Sequence, residues 1–249
     1  MIEYDTYLLN KLKKIKFKPQ GVVGDIPFMW AKDMEIAHEY ELPNNVLSRE
    51  EVRVICQDLN EPVLKSYLVV MAWGAQGRGP GGKKSVQNAW KHRDQIERKI
   101  SLLREKQLSR KESYDLFCKS NSIPGLGPAY FTKLLYFFGR DKDMYIMDQW
   151  TTKPILLLTK QNLIKHTDQG PSHLNSGKNY EVFCKIIDDL KEHLGAKSGD
   201  EVEQKLFSVG SIKRQARGEF RQLVHDLWKQ REPFPRYNER LIDQLLSSK

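Results

Sequence analysis

The segment NSIPGLGPAYF, residues 121–131, places two glycines and two prolines between two stretches of helical periodicity. Glycine disfavours a helix interior, whereas proline is tolerated in the first helical turn, where its missing N–H is not needed. The segment therefore predicts a tight turn between two helices, with Pro128 opening the second. We expect Ile123 to be buried, while Gly125 and Gly127 permit a positive φ and leave the backbone uncovered. The free N–H groups of the next helical turn would then suit a phosphate.

Helical periodicity also dominates the rest of the chain. Ser48 and Glu51 form a capping-box pattern ahead of one apolar-periodic stretch. Residues 85–107 are typical of one long charged helix with a narrow apolar stripe. Strand signals are few, and residues 16–30 are interrupted by glycine and proline. These patterns predict an all-α chain.

A second glycine-rich segment, WGAQGRGPGGKK at residues 73–84, contains five glycines. We expect it to be non-helical, so that its bare backbone and its basic residues Arg78, Lys83 and Lys84 can approach phosphate groups. A flexible surface connector is the alternative. The spacing matches neither a P-loop nor a dinucleotide-binding fingerprint.

The charge balance and the cysteine pattern narrow the class of protein. The 249 residues carry a formal net charge of +9, which fits a polyanionic partner. The three cysteines lie far apart, so we expect free thiols in a reducing compartment, with no metal site and no cofactor. No signal peptide and no membrane-spanning run is present, which predicts a cytoplasmic protein without membrane contact. No obligate protein partner is evident.

The hairpin IPGLGPAYF, followed by YIMDQW at residues 145–150, resembles the helix-hairpin-helix DNA glycosylase superfamily and, within it, the 8-oxoguanine glycosylase branch. In that family the hairpin reads Leu-Pro-Gly-Val-Gly. Asp148 follows Gly127 by the interval that separates the family's second hairpin glycine from its catalytic aspartate. The resemblance covers residues 111–157. It implies a single glycosylase domain over residues 1–249, with two helical lobes and a DNA cleft between them.

This resemblance implies an enzyme that flips a modified base out of double-stranded DNA and hydrolyses its N-glycosidic bond. The hairpin would bind the DNA through Ile123, Gly125, Gly127 and Ala129. Cleavage of that bond builds positive charge on the sugar, and a nearby carboxylate stabilises this charge and can activate water. Asp148 takes the role by resemblance. Its other interpretation is the N-cap of the helix that follows. The two roles are compatible, because a cap fixes the position of the carboxylate.

The bifunctional members of the family carry a lysine two residues beyond the second hairpin glycine, and its amine attacks the sugar. Here that position is Ala129, so we expect a monofunctional enzyme that leaves an abasic site. Lys133 lies one helical turn along, where a desolvated amine could act as the nucleophile. The alternative is a surface lysine that contacts solvent or a DNA phosphate, and this alternative ranks first.

An extruded base is usually stacked on aromatic groups, and Trp73, Trp150 and Phe207 are candidates for this role. For each tryptophan a place in the core is the alternative. Two substrates compete: an oxidised purine such as 8-oxoguanine, in repair, and glucosylated hydroxymethylcytosine of phage DNA, in antiviral defence. The missing lysine and the open glycine-rich segment favour the second. A non-catalytic helix-hairpin-helix protein is the alternative function, and it predicts salt-sensitive binding without product.

Overall fold

The computed structural model describes residues 2–17, 19–77, 81–207 and 218–247. The all-α prediction is confirmed, because within these ranges the regular structure is helical apart from one two-stranded antiparallel ladder. The α-helices are α1 Thr6–Lys13, α2 Pro27–Asp33, α3 Arg49–Gln57, α4 Val63–Trp73, α5 Gly82–Trp90, α6 Arg93–Glu105, α7 Arg110–Asp115, α8 Pro128–Phe138, α9 Gln149–Thr159, α10 Gly177–Leu194, α11 Gly199–Phe207, α12 Glu219–Gln230 and α13 Glu239–Ser247. A 3₁₀ turn covers Lys119–Asn121, and the strands are β1 His166–Thr167 and β2 Gly170–Pro171.

The chain divides into two compact units. Unit 1 comprises residues 1–19 and 145–249, and unit 2 comprises residues 20–144. The predicted core segment, residues 111–157, contributes to both: the hairpin belongs to unit 2 and Asp148 to unit 1. The single glycosylase domain over residues 1–249 stays a prediction.

Unit 2 is built around α4. Every residue of this helix from Ser66 to Trp73 is buried, as expected for a helix that is apolar on all sides. Helices α2, α3, α6 and α8 pack around it. Helix α3 begins where its capping box predicts, because Ser48 Oγ accepts from Glu51 N at 3.3 Å and Glu51 Oε2 accepts from Ser48 N at 2.7 Å.

Unit 1 is built around α9. Its residues from Thr151 to Thr159 are all buried, and α1, α10, α11 and α12 pack against it. Tyr145 enters this unit with two polar contacts: its carbonyl accepts from Tyr180 Oη at 2.9 Å, and its hydroxyl donates to Asp188 at 2.7 Å. The segment that leads into α9 is therefore fixed by buried hydrogen bonds.

The prediction of one long helix over residues 85–107 is wrong. Two helices occupy this stretch, α5 and α6, and His92 is the N-cap of the second. The apolar stripe gives the reason, since the six-residue step from Trp90 to Ile96 does not match the three- and four-residue spacing of a helix face. Helix α5 also begins at Gly82, so the end of the glycine-rich segment is helical, contrary to expectation.

The three cysteines, Cys56, Cys118 and Cys184, are buried and free. Burial raises the pKa of the Cys56 thiol, which keeps it protonated. Among the residues that the structure describes, no helix combines the length and the apolar character needed to cross a lipid bilayer.

Arg104 on α6 connects the last turn of α3, the loop that follows it and the first turn of α4 in unit 2. Its guanidinium donates to the carbonyl of Cys56 at 3.0 Å, to the carbonyl of Glu61 at 3.0 Å and to Ser66 Oγ at 3.2 Å. It also lies 5.1 Å from the centre of the Phe138 ring. Only a planar, forked cation can make these contacts at once.

We therefore predict that Arg104→Lys destabilises the protein by about 2 kcal/mol, because a lysine leaves two of the buried acceptors without a donor. Urea unfolding followed by circular dichroism measures the loss. Arg98→Lys on the exposed face of the same helix is the control, with an expected change below about 0.5 kcal/mol. Equal losses in the two variants would contradict this role for Arg104.

Candidate functional site

The predicted hairpin is present between α7 and α8. Leu126 N donates to the Ile123 carbonyl at 3.0 Å and closes a four-residue turn. Pro124 and Gly125 occupy its centre, and Gly125 has φ +86°, the pattern of a type II turn. Ile123 and Leu126 are 2% and 1% exposed, so the predicted burial of Ile123 is confirmed.

The two hairpin glycines differ in conformation and surroundings. Gly127 has φ −77° and is the N-cap of α8, so of the two hairpin glycines Gly125 alone uses the positive φ that both permit. A type II turn needs a positive φ at its third residue alone, which is Gly125. The uncovered backbone expected at Gly125 is wrong, because a Cβ there would lie 2.0 Å from the Ser85 carbonyl oxygen on α5. Gly125 is required for close packing of the hairpin on α5.

Gln76 joins the hairpin to the glycine-rich segment. This residue is 1% exposed, and its Nε2 donates to the Gly125 carbonyl at 2.9 Å. The backbone carbonyl of Gln76 accepts a hydrogen bond from Trp30 Nε1 at 2.8 Å. Sequence reasoning did not single out Gln76, because nothing in the pattern shows that a glutamine in a loop reaches a turn 49 residues away. The two glycine-rich segments therefore form one packed assembly.

The predicted basic contacts lie beside this assembly. Lys83 and Lys84 are in the first turn of α5, immediately before the Ser85 that contacts Gly125. Lys83 Nζ lies 2.6 Å from Glu35 Oε1 in a surface ion pair. The side chain of Lys84 is exposed to solvent. Arg78 lies outside the described residues.

The start of α8 offers unused backbone donors. Within the described ranges, the N–H groups of Gly125, Gly127 and Ala129 donate to no protein acceptor. The Gly127 carbonyl already accepts from Tyr130 and Phe131. Since the positive end of the helix dipole adds to these donors, the turn is suited to an anion.

Lys133 on α8 is buried, at 7% exposure, so it is not a solvent-exposed surface lysine, whereas its contact with a DNA phosphate stays a prediction. Its Nζ donates to the Ala129 carbonyl and lies 5.2 Å from the centre of the Tyr130 ring. Its aliphatic stem packs on Gly74, where a Cβ would lie 2.9 Å from Lys133 Cδ. The absence of a side chain at Gly74 therefore makes room for the lysine. A catalytic role for Lys133 stays a prediction.

Asp148 is the N-cap of α9, as its second interpretation predicted. Its Oδ1 accepts from Trp150 N at 2.7 Å and from Thr151 N at 3.1 Å, and Thr151 Oγ1 accepts from Asp148 N at 3.0 Å. In the part of the chain that the structure describes, Oδ2 receives no hydrogen bond. The cap therefore holds the half-buried carboxylate at the positive end of a helix and leaves one oxygen available.

Two of the three predicted base-stacking residues meet in unit 1. The guanidinium of Arg221, on α12, lies 3.9 Å from the centre of the Trp150 ring and 5.2 Å from that of Phe207. Both rings are half-buried. Trp73 is different: it is 6% exposed and packs edge-on against Phe137 in the core of unit 2. That is the alternative considered for it.

A buried lysine beneath Trp150 escaped the sequence reasoning. Lys153 is 7% exposed, and its Nζ lies 3.2 Å from Gln149 Oε1 and 5.3 and 5.4 Å from the ring centres of Trp150 and Trp228. Its spacing from Gln149 and Trp150 could have placed it on their helix face. Its contact with Trp228 had no signal in the sequence.

His166 on β1 completes the surroundings of Trp228, with its ring 4.8 Å from the indole. Burial, followed by the charges of Lys153 and Arg231, lowers the pKa of His166 to about 4. Neither ring nitrogen has a hydrogen-bond partner among the described residues. No group of three or more His, Cys, Asp or Glu side chains in the same residues is arranged to hold a metal.

We predict that Gly125→Ala destabilises the protein by about 3 kcal/mol, since the new methyl group combines backbone strain with a clash against a backbone oxygen. Gly195→Ala is the matched control. Gly195 also has a positive φ, +59°, but a Cβ there meets no atom within 4 Å. Its expected loss in urea unfolding is about 1 kcal/mol, from backbone strain alone. Similar losses at both positions would show that the contact with α5 has no effect.

The buried imidazole predicts a pH dependence of stability. Its pKa in the folded protein, about 4, lies below the ordinary value of 6.5, so its stabilising contribution is complete above the ordinary value and is lost as the pH falls towards 4. Between pH 7.5 and pH 5.0 we expect the free energy of unfolding to fall by about 2 kcal/mol from this group. His166→Phe keeps the ring and should remove this part of the fall. His173→Phe, at an exposed position, should leave the fall unchanged.

Comparison with known families places these features in one context. The family described as "Putative 8-oxoguanine DNA glycosylase OGG-like protein" matches residues 23–207, a range that includes the hairpin, Lys133 and Asp148. Comparison with curated proteins and with solved structures found no match. Since the matched range covers most of the chain, the protein belongs to this OGG-like family of DNA glycosylases.

Proposed function

We propose that this DNA glycosylase removes a modified base from double-stranded DNA by hydrolysis, with Asp148 as the catalytic carboxylate and an abasic site as the product. The observation that carries the proposal is the cap of α9. One oxygen of Asp148 is fixed by two backbone N–H groups, and the other receives no hydrogen bond from the described residues. The carboxylate is thus held in place before a substrate arrives.

The chemistry needs a fixed negative charge beside the sugar. As the bond between C1′ and the base nitrogen breaks, the electron pair stays on the base and positive charge develops at C1′. The free oxygen of Asp148 stabilises that charge and accepts a proton from the water that attacks C1′. Because the α9 cap already orients the group, little reorganisation accompanies the reaction.

The hairpin supplies the contact with the DNA backbone in this proposal. The unused N–H groups of Gly125, Gly127 and Ala129 bind a phosphate at the N-terminus of α8. Exposed Lys84, at the start of the neighbouring helix, adds a sequence-independent charge contact. Binding should therefore weaken as the salt concentration rises.

Two features support a monofunctional enzyme with a large substrate. Position 129, where bifunctional relatives carry the nucleophilic lysine, is alanine. The glycine-rich segment carries little side-chain bulk. Both fit a roomy site for glucosylated hydroxymethylcytosine of phage DNA, and hence a role in antiviral defence.

A second candidate is an 8-oxoguanine glycosylase that also cleaves the strand, with Lys133 as the nucleophile. The observation that favours it is the burial of Lys133, since nucleophilic lysines are found in desolvated surroundings. The amine lies on the hairpin helix, next to the carbonyl of Ala129, which occupies the position of the relatives' lysine.

A panel of duplexes tests these proposals. The duplexes carry 8-oxoguanine, cytosine, hydroxymethylcytosine or glucosylated hydroxymethylcytosine, and strand breaks are scored before and after alkali. We expect breaks after alkali only, on the glucosylated duplex. Asp148→Asn should lower the single-turnover rate by about 1,000-fold, because asparagine keeps the cap but not the charge. Asp5→Asn, which alters the cap of α1, is the matched control and should keep the wild-type rate.

Other outcomes separate the alternatives. Breaks without alkali, a borohydride-trapped covalent complex and loss of both in Lys133→Met would establish the lyase. Binding without base release on every duplex, unchanged by Asp148→Asn, would instead identify a non-catalytic helix-hairpin-helix protein.

A further inference from the structure

Arg221 lies beyond the matched range of residues 23–207, and neither the hairpin nor the α9 cap accounts for it. Its half-buried guanidinium contacts the faces of Trp150 and Phe207, which come from different helices. Trp150 N is in turn bonded to the Asp148 carboxylate at 2.7 Å. Trp150 therefore contacts both charged groups: its backbone N–H donates to the carboxylate, and its ring lies against the guanidinium.

Opposite charges thus contact the same residue, the carboxylate at the Trp150 backbone N–H and the guanidinium at the Trp150 ring. An extruded nucleotide whose sugar lay at Asp148 would have room to stack its base near Trp150 only if the base approached the guanidinium, because both groups contact this tryptophan. Bases stack on indole rings and on guanidinium planes alike. A guanidinium held on two aromatic faces is also oriented before the base arrives.

Both charges would stabilise the transition state in which the glycosidic bond breaks. The sugar becomes positive, which the carboxylate stabilises, while the departing base keeps the electron pair and becomes negative. A cation at the base lowers the energy of that developing charge, as fixed donors do for other leaving groups. The buried Lys153, with its Nζ 5.3 Å from the centre of the Trp150 ring, adds a second positive charge near this residue.

We propose that Arg221 is a catalytic residue that contacts the extruded base and stabilises the negative charge on it as it leaves. This inference rests on the proposed glycosylase function. In the step, the C1′–N bond breaks and its electrons stay on the base, water forms the new bond to C1′, and its proton passes to Asp148. The base, released as an anion beside Arg221, takes its proton from solvent.

A purely structural role for Arg221, as a clamp that joins α12 to α9 and α11, must be distinguished from the catalytic role. Arg231 provides the matched comparison. Its guanidinium lies 3.7 Å from the centre of the Trp228 ring and 5.4 Å from that of Phe234, which is the same kind of contact within the same unit. A loss that comes from the clamp alone should be similar for Arg221→Met and Arg231→Met.

The test uses the full chain and the duplex from which the wild-type protein releases a base, either 8-oxoguanine or glucosylated hydroxymethylcytosine. Arg221→Met should lower the single-turnover rate roughly 100-fold, and Arg221→Lys should lie between it and the wild type. Affinity for a duplex with the uncleavable 2′-fluoro analogue of that nucleotide should fall about 10-fold in Arg221→Met. Affinity for an unmodified duplex should stay within about twofold, and Arg231→Met should match the wild type in each assay.

Three results would overturn the proposal. Equal rate losses in Arg221→Met and Arg231→Met, with equal falls in melting temperature, would show a clamp. An equal loss of affinity for modified and unmodified duplexes in Arg221→Met would show a phosphate contact. Failure of the wild-type protein to release a base from any duplex would reject the proposed function first, and this inference with it.

Discussion

The cap of α9 by Asp148 is the interaction on which unit 1 and its proposed chemistry both depend. Helix α9 is buried from Thr151 onwards, so the N–H groups of its first turn need protein acceptors. The aspartate satisfies two of them with one oxygen. The same bonds hold the carboxylate rigidly, and its position at the helix N-terminus favours its negative charge. A structural requirement of the core thus produces a fixed charge of the kind that glycosidic cleavage uses.

Unit 2 depends on backbone contacts that tolerate no side chain. Gly125 packs on the Ser85 carbonyl, and Gly74 leaves room for the stem of Lys133. Gln76 links the first of these contacts to the glycine-rich segment. The glycines therefore position two predicted phosphate-contacting segments beside each other, a role different from flexibility. Close packing and DNA contact both require positions without a side chain, because in each case another group approaches the backbone closely.

Burial of cations against aromatic rings recurs in both units. Lys133 lies by Tyr130 in unit 2, and Lys153 lies between Trp150 and Trp228 in unit 1. An aromatic face stabilises a desolvated cation without neutralising its charge, as a carboxylate would. In unit 1 burial lowers the pKa of His166, and the charge of Lys153 lowers it further, because a second cation beside Lys153 is unfavourable. In the proposed reaction, positive charge near the α9 cap would stabilise the departing base, which keeps the electron pair of the broken bond.

The amino-acid sequence by itself determined the helical class, the turn at Pro124–Gly125, the burial of Ile123 and the cap at Asp148. Each follows from local spacing or from the conformational range of a single residue type. Tertiary structure decided the close packing of Gly125 on α5, the burial of Lys133 and the place of Trp73 in the core. It also decided the meeting of Trp150 and Phe207 at Arg221, residues from three different helices. Local patterns constrain neighbours along the chain, whereas these contacts depend on which helices pack together, and no period in the sequence records that choice.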